Sequence, residues 1–125
     1  MLTVEQVQTL GSASEGTLRS RDLLPSLAGY YQVILTTLEF ADAIASDISV
    51  PMALQFVAEA FGAYQMAEEA NADHQLDYDG DVLDVVMDWV FDLETRLNEI
   101  APEGWYFGCH PHNGSDYGYW RCDTE

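Results

Sequence analysis

The sequence predicts a mostly helical α+β fold, with about four helices packed against a C-terminal aromatic-rich β-hairpin. Apolar residues recur at helical spacing from the N-terminus to about residue 100. Beyond residue 104, aromatic residues crowd two short runs on either side of Asn113-Gly114, a dipeptide typical of hairpin turns. The 125 residues suit a single domain, with a helical part over about 1–101 and a hairpin over about 104–122.

The first two helices are predicted in the N-terminal third of the chain. Thr3 and Gln6 have the spacing of a capping box, so a short helix is expected to begin there. Residues 11–16 are rich in Gly and Ser, which indicates a loop. A second helix is expected over about 23–45, because Pro25 suits a first turn and apolar residues follow at helical spacing.

Two more helices are predicted before the hairpin. Ser49 is a good N-cap and Pro51 suits the first turn of a third helix, which is expected to reach about residue 70. Residues 71–80 are polar and acidic, which indicates a loop. A fourth helix is expected over about 81–100, because its apolar residues form one stripe: Val82, Val86, Trp89, Leu93, Leu97 and Ile100.

The predicted hairpin places aromatic side chains on both faces of its two strands. If Asn113-Gly114 is a two-residue turn, Cys109 lies opposite Gly118. One face is expected to pack on the helices, since an isolated hairpin is only marginally stable. The other face suits a cross-strand aromatic ladder or a homodimer contact better than a contact with a different protein.

The charge is the strongest functional signal in the sequence. The chain has 22 acidic residues, four arginines and no lysine, giving a net charge of −18. This charge disfavours direct binding to nucleic acid or to an anionic membrane, because both are polyanions. The acidity is uneven, since residues 1–38 carry a net charge of −1 and residues 39–125 carry −17. We therefore expect a basic partner, a bound cation or a salt-rich solvent.

The cellular setting is predicted from what the sequence lacks. No apolar run approaches the roughly 20 residues that a membrane-spanning helix needs, and residues 1–10 do not form a secretory signal. Two cysteines, Cys109 and Cys122, do not make a disulfide framework. A cytoplasmic protein with reduced thiols is expected.

A row of aspartates follows one face of the fourth predicted helix. The row consists of Asp77, Asp81, Asp84, Asp88 and Asp92, and Glu99 continues it. Spacings of three and four residues place them on one side of a helix, roughly opposite the apolar stripe. Four helical residues rise about 6 Å, while neighbouring phosphates on one DNA strand are roughly 6–7 Å apart in space. Further acids are expected to flank the row: Glu68, Glu69 and Asp73.

These carboxylates suggest a nucleic-acid mimic that occupies and blocks the basic groove of a DNA- or RNA-binding protein. The chain is similar in type to small acidic anti-restriction and anti-CRISPR inhibitors made by phages and mobile elements, although no motif carries over. The alternative is a salt-adapted acidic structural or assembly protein of a halophile, since the lack of lysine fits that reading well.

A small calcium- or zinc-binding module is a third alternative. Asp77, Asp79 and Asp81 match the first positions of a calcium loop that would end at Asp88, but the glycine falls at the wrong position. Cys109, His112 and Cys122 are zinc-competent residue types without a complete set of paired ligands. No nucleophile elbow or phosphate loop is present, so neither an enzymatic activity nor a cofactor is predicted.

Overall fold

Five helices and a small three-stranded sheet make up the part of the chain that the computed structural model describes, which comprises residues 1–14, 20–70, 80–110 and 113–122. The helices are α1 (Val4–Leu10), α2 (Ser20–Thr36), α3 (Leu38–Ile44), α4 (Val50–Ala70) and α5 (Gly80–Glu99). The strands are β1 (Ser12–Ser14), β2 (Trp105–His110) and β3 (Asn113–Arg121). The predicted mostly helical α+β class is confirmed.

Helix α1 begins with the predicted capping box. The backbone N–H of Gln6 donates to the Thr3 hydroxyl over 3.1 Å, and the Thr3 N–H donates to the Gln6 side-chain oxygen over 2.9 Å. Leu2, the residue before Thr3, is buried, and its N–H donates to the carbonyl of Ile100 over 2.8 Å. The start of the chain is therefore attached to the end of α5.

The single helix predicted over 23–45 is two helices, and this correction raises the helix number from about four to five in the described residues. Thr37 is extended, with φ −95° and ψ 121°, and separates α2 from α3. Just before the break, the Thr36 hydroxyl donates to the Gln32 carbonyl over 2.8 Å, a contact that often bends helices. In α3, the side chains of Phe40 and Ile44 are buried, whereas Leu38 is 74% exposed.

Strand β1 lies where the sequence predicted only a loop. It pairs with β3, so the sheet order is β1-β3-β2 and all pairs are antiparallel. The Tyr30 hydroxyl of α2 donates to the Gly11 carbonyl over 2.8 Å just before the strand. Composition indicated a loop, but β3 supplies backbone partners that composition does not reveal.

The predicted hairpin is present, but its predicted register is wrong. Cys109 pairs with Tyr117, and Gly108 pairs with Gly118. The pairing shifts between Cys109 and His110, because His110 already pairs with Asn113. Asn113-Gly114 therefore belongs to β3 and its irregular start, and does not form a two-residue turn.

The inner face of the sheet packs on the helices through aromatic rings. Phe107 and Tyr119 are buried, with ring centroids 5.1 Å apart, and Tyr30 of α2 lies 5.7 Å from Phe107. The Tyr119 hydroxyl donates to the Leu97 carbonyl of α5 over 2.6 Å. These contacts fix the sheet to α2 and to the last turns of α5.

Asn98 connects the end of α5 to strand β2. Its side-chain amide donates to the Phe107 carbonyl over 2.8 Å, and its side-chain oxygen accepts from the Phe107 N–H over 2.8 Å. A free strand edge offers such unpaired groups to other chains. Asn98 therefore provides hydrogen-bond partners for the edge of β2 at Phe107, whose side chain is buried in the core.

On the outer face of the sheet, aromatic rings lie over the sheet's own backbone. Tyr106 and Trp120 are a cross-strand pair and both are half-buried. The Trp120 indole N–H donates to the Gly108 carbonyl over 2.9 Å, and the Tyr106 hydroxyl donates to the Cys109 carbonyl over 2.7 Å. This arrangement fits the expected aromatic ladder, while a homodimer through the hairpin stays a prediction.

Replacing Gly118 by alanine is expected to destabilise the fold by about 1–3 kcal/mol, the usual range for overpacking. A Cβ atom there would lie 3.3 Å from the Gly11 oxygen, the Ser12 Cα and a ring carbon of Trp120. At Gly108 the nearest atoms belong to the Tyr106 ring, at 3.5 and 3.6 Å, which are ordinary contacts. Urea unfolding of G118A and G108A gives the comparison, and equal losses would contradict the close approach of β1.

Candidate partner-binding face

The acidic face of α5 is formed by four exposed aspartates, Asp81, Asp84, Asp88 and Asp92. The opposite side of the helix is the buried one and contains Val86, Val90, Leu93 and Leu97. Glu99 is also exposed and lies in the same register. Asp77, predicted at the start of this row, and Asp73, predicted to flank it, fall outside the described residues.

No salt bridge among the described residues reaches any of the four aspartates of the acidic face. Arg96 is the basic residue of α5, and its guanidinium stacks 3.8 Å from the centre of the Phe56 ring of α4. Phe56 in turn contacts Trp89 of α5, with ring centroids 5.2 Å apart. Successive aspartates are separated by about 4.5–6 Å of helix rise, so their charges repel each other by a few tenths of a kcal/mol per pair.

Glu68 and Glu69, which were predicted to flank the row, have different environments. The Glu68 carboxylate accepts from Arg21 of α2 and from the Tyr64 hydroxyl, each over 3.0 Å. It therefore contacts α2, and the structure does not bring it to the acidic face. Glu69 is exposed in the last turn of α4.

Exposed apolar side chains lie among the acids of α5, a feature that the sequence analysis missed. Phe91 is 68% exposed, and Val85 and Met87 are about half exposed. Their positions outside the predicted apolar stripe were the available signal. Because large apolar groups on a surface often mark an interface, the acidic face has both ionic and apolar contact groups.

An apolar groove separates the C-terminal half of α4 from the N-terminal half of α5. Its volume is about 420 Å³. The lining residues are small or apolar and include Ala63, Met66 and Ala70 from α4, and Val82, Val85 and Trp89 from α5. Asp81 of the acidic face lies at the rim, so the groove and the acidic face adjoin.

The calcium-loop alternative does not agree with the structure of α5. The helix begins at Gly80, whose φ of +57° suits glycine, and continues through Asp88. A twelve-residue calcium loop over 77–88 would need this stretch to wrap around the ion. Asp88 instead lies two turns inside a helix, although residues 77–79 fall outside the described part.

The zinc alternative finds no complete site in the described residues. Cys109 pairs with Tyr117, whereas Cys122 follows Arg121 at the far end of β3, about 16 Å further along the strand. His112 falls outside the described residues. In the described part of the chain, no group of three potential ligands comes together.

Several titratable side chains near the inner face of the sheet have a raised pKa because they are buried. Burial raises the pKa of Tyr30, Tyr119 and Tyr117, and Cys109 and Glu94 add to the rise at Tyr117. Burial also raises the pKa of Glu94 itself. The tyrosine hydroxyls stay protonated and act as structural hydrogen-bond donors. Tyr30 donates to the Gly11 carbonyl, and Tyr119 donates to the Leu97 carbonyl.

Within the described ranges, no helix combines the length and the apolar character that a membrane span requires. No family model, curated protein or solved structure matches the chain.

Proposed function

We propose that this chain is a non-enzymatic inhibitor that acts in the cytoplasm and occupies the basic groove of a nucleic-acid-binding protein. The carrying observation is the acidic face of α5, where four exposed aspartates follow one helical line and no described ion pair neutralises them. The carboxylates stand in for successive phosphates of one strand. An anti-restriction or anti-CRISPR role, in a phage or mobile element, is the biological form of this proposal.

Long-range attraction explains how such an inhibitor would compete with nucleic acid. A net charge of −18 on a small domain attracts a basic groove before contact. Complementary charge speeds association and fixes orientation, and salt weakens both effects. The aspartates of the acidic face are the binding residues, and Glu99 and Glu69 extend the charged surface.

Capture on the immobilised chain tests this function. We expect one basic nucleic-acid-binding protein to be retained from a bacterial lysate and to be released by excess duplex DNA or RNA. The chain itself repels the competitor, so release reports competition for the partner's groove. Retention of proteins that neither nucleic acid displaces would contradict the proposal.

Salt adaptation remains the competing explanation of the acidity, and the exposed apolar groups favour a partner over it. Adaptation to a salt-rich solvent does not explain why Phe91, beside the acidic face, is 68% exposed. We expect circular-dichroism melting to find the chain folded in about 0.1 M KCl, where the screening length is about 10 Å. If the chain folded only in about 3 M KCl, the acidic residues would be an adaptation to a salt-rich solvent, and the proposal would be contradicted.

A further inference from the structure

We propose that the groove between α4 and α5 binds an apolar side chain from a cationic amphipathic segment of the partner. This inference rests on the proposed function and deepens it, because it specifies the chemistry of the partner's contact surface. The partner would place apolar residues in the groove and lysine or arginine residues on the adjoining acidic face.

The shape of the groove suits one or two inserted side chains. Small residues, Ala63 and Ala70, form the α4 side, and Val82 and Trp89 form the α5 side. Its volume of about 420 Å³ is near the lower end of the roughly 300–1,000 Å³ of known ligand clefts. Met66 is 71% exposed at the rim and can adjust to different occupants, as methionines do at binding surfaces.

Charge complementarity identifies the occupant as cationic. Asp81 lines the groove, and Val85 follows it by four residues on the same side of α5. On α4, the exposed Glu59 precedes Met66 by seven residues and therefore shares its side of the helix. When an apolar side chain of the partner occupies the groove, the partner residues on either side of it therefore lie near carboxylates of both helices.

A second copy of this chain fits the groove poorly. It would bring another charge of −18 toward Asp81 and Glu59, and like charges placed opposite each other cost several kcal/mol. A segment with apolar residues on one side and lysines on the other satisfies both parts of the surface, as in other recognition of helices by grooves.

The probe is a synthetic amphipathic peptide of about 18 residues, with leucines on one side and lysines on the other. Two matched peptides replace either the leucines by alanine or the lysines by glutamine. Calorimetry measures affinity, and NMR of the Trp89 indole reports on the groove. The test variant is M66Q with V85Q.

The matched control is M52Q with V33Q. Met52 lies on α4 and is 71% exposed, the same as Met66, while Val33 and Val85 are 51% and 53% exposed. Neither control residue lines the groove. The control therefore removes the same apolar surface from other places on the molecule.

We expect the groove variant to lose at least about tenfold in affinity for the leucine–lysine peptide and the control to stay within about twofold. The alanine peptide should lose a similar factor on wild-type protein, with no further loss on the groove variant. Unchanged affinity of the groove variant, equal losses in both variants, or absence of binding to wild-type protein would overturn the inference.

Two further comparisons separate this inference from the proposed function. Equal binding of the lysine and glutamine peptides would show that the occupant is not cationic and would overturn the inference. Loss of binding in D84K with D88K, while the groove variant binds normally, would overturn the inference and leave the acidic face in its proposed role. If neither variant affected binding, the inference would fail, while the proposed function would still be decided by competition between the chain and a duplex for the nucleic-acid-binding partner.

Discussion

Reversing two charges at the centre of the acidic face, D84K with D88K, is expected to weaken partner binding by at least about 100-fold, or about 2.8 kcal/mol. Both side chains are exposed and lie opposite the buried side of α5. A basic groove would then meet two lysines where it now meets two carboxylates. The fold should be retained, because each lysine has an aspartate neighbour three or four residues away, Asp81 or Asp92.

The matched control for this reversal is E39K with D42K on α3. Both residues are exposed, and each double variant changes the net charge from −18 to −14, because each substitution adds two charges. Titration calorimetry with the purified partner should give nearly wild-type affinity for the α3 variant. Equal weakening in both variants would mean that total charge, and not the acidic face, determines binding.

Truncating Asn98 to alanine is expected to destabilise the protein by about 2–3 kcal/mol, because two backbone groups of Phe107 lose their partners. The Asn98 side chain is exposed, so its removal leaves no cavity and isolates the hydrogen bonds. The melting temperature should fall by roughly 10 °C.

Thr95 supplies the control for this truncation. It is exposed on the same helix, and its hydroxyl donates only to the Phe91 carbonyl within α5, over 3.0 Å. We expect T95A to change stability by less than about 0.5 kcal/mol. Faster hydrogen exchange at the Phe107 amide in N98A alone would confirm the edge contact, and a melting temperature within about 2 °C of wild type would contradict it.

Local signals in the sequence predicted the elements that depend on local physics. The capping box at Thr3 and Gln6 forms as expected, and most of the apolar stripe of α5 is buried, because both depend on residues three or four positions apart. Val82 and Trp89 of the stripe are half-buried and line the groove. The exposure of the acidic face follows from the same periodicity. Helical periodicity does not predict whether a partner binds this face.

The features that sequence reasoning missed depend on contacts between distant segments. Strand β1 exists because β3 pairs with it, and the register at Cys109 depends on the irregular start of β3. The break at Thr37 interrupts an apolar pattern that continues across it. The groove requires the mutual placement of α4 and α5, and the engagement of Glu68 requires Arg21 of α2.

The proposed inhibitor places the acidic face of α5 in a site that otherwise holds nucleic acid. The most direct test is a competition titration with the purified partner, a fluorescent duplex and the wild-type chain, followed by anisotropy and size-exclusion chromatography. We expect the chain to release the duplex completely, the apparent dissociation constant of the chain to rise in proportion to duplex concentration, and no ternary complex to form. A stable complex that contains partner, duplex and chain together would contradict it.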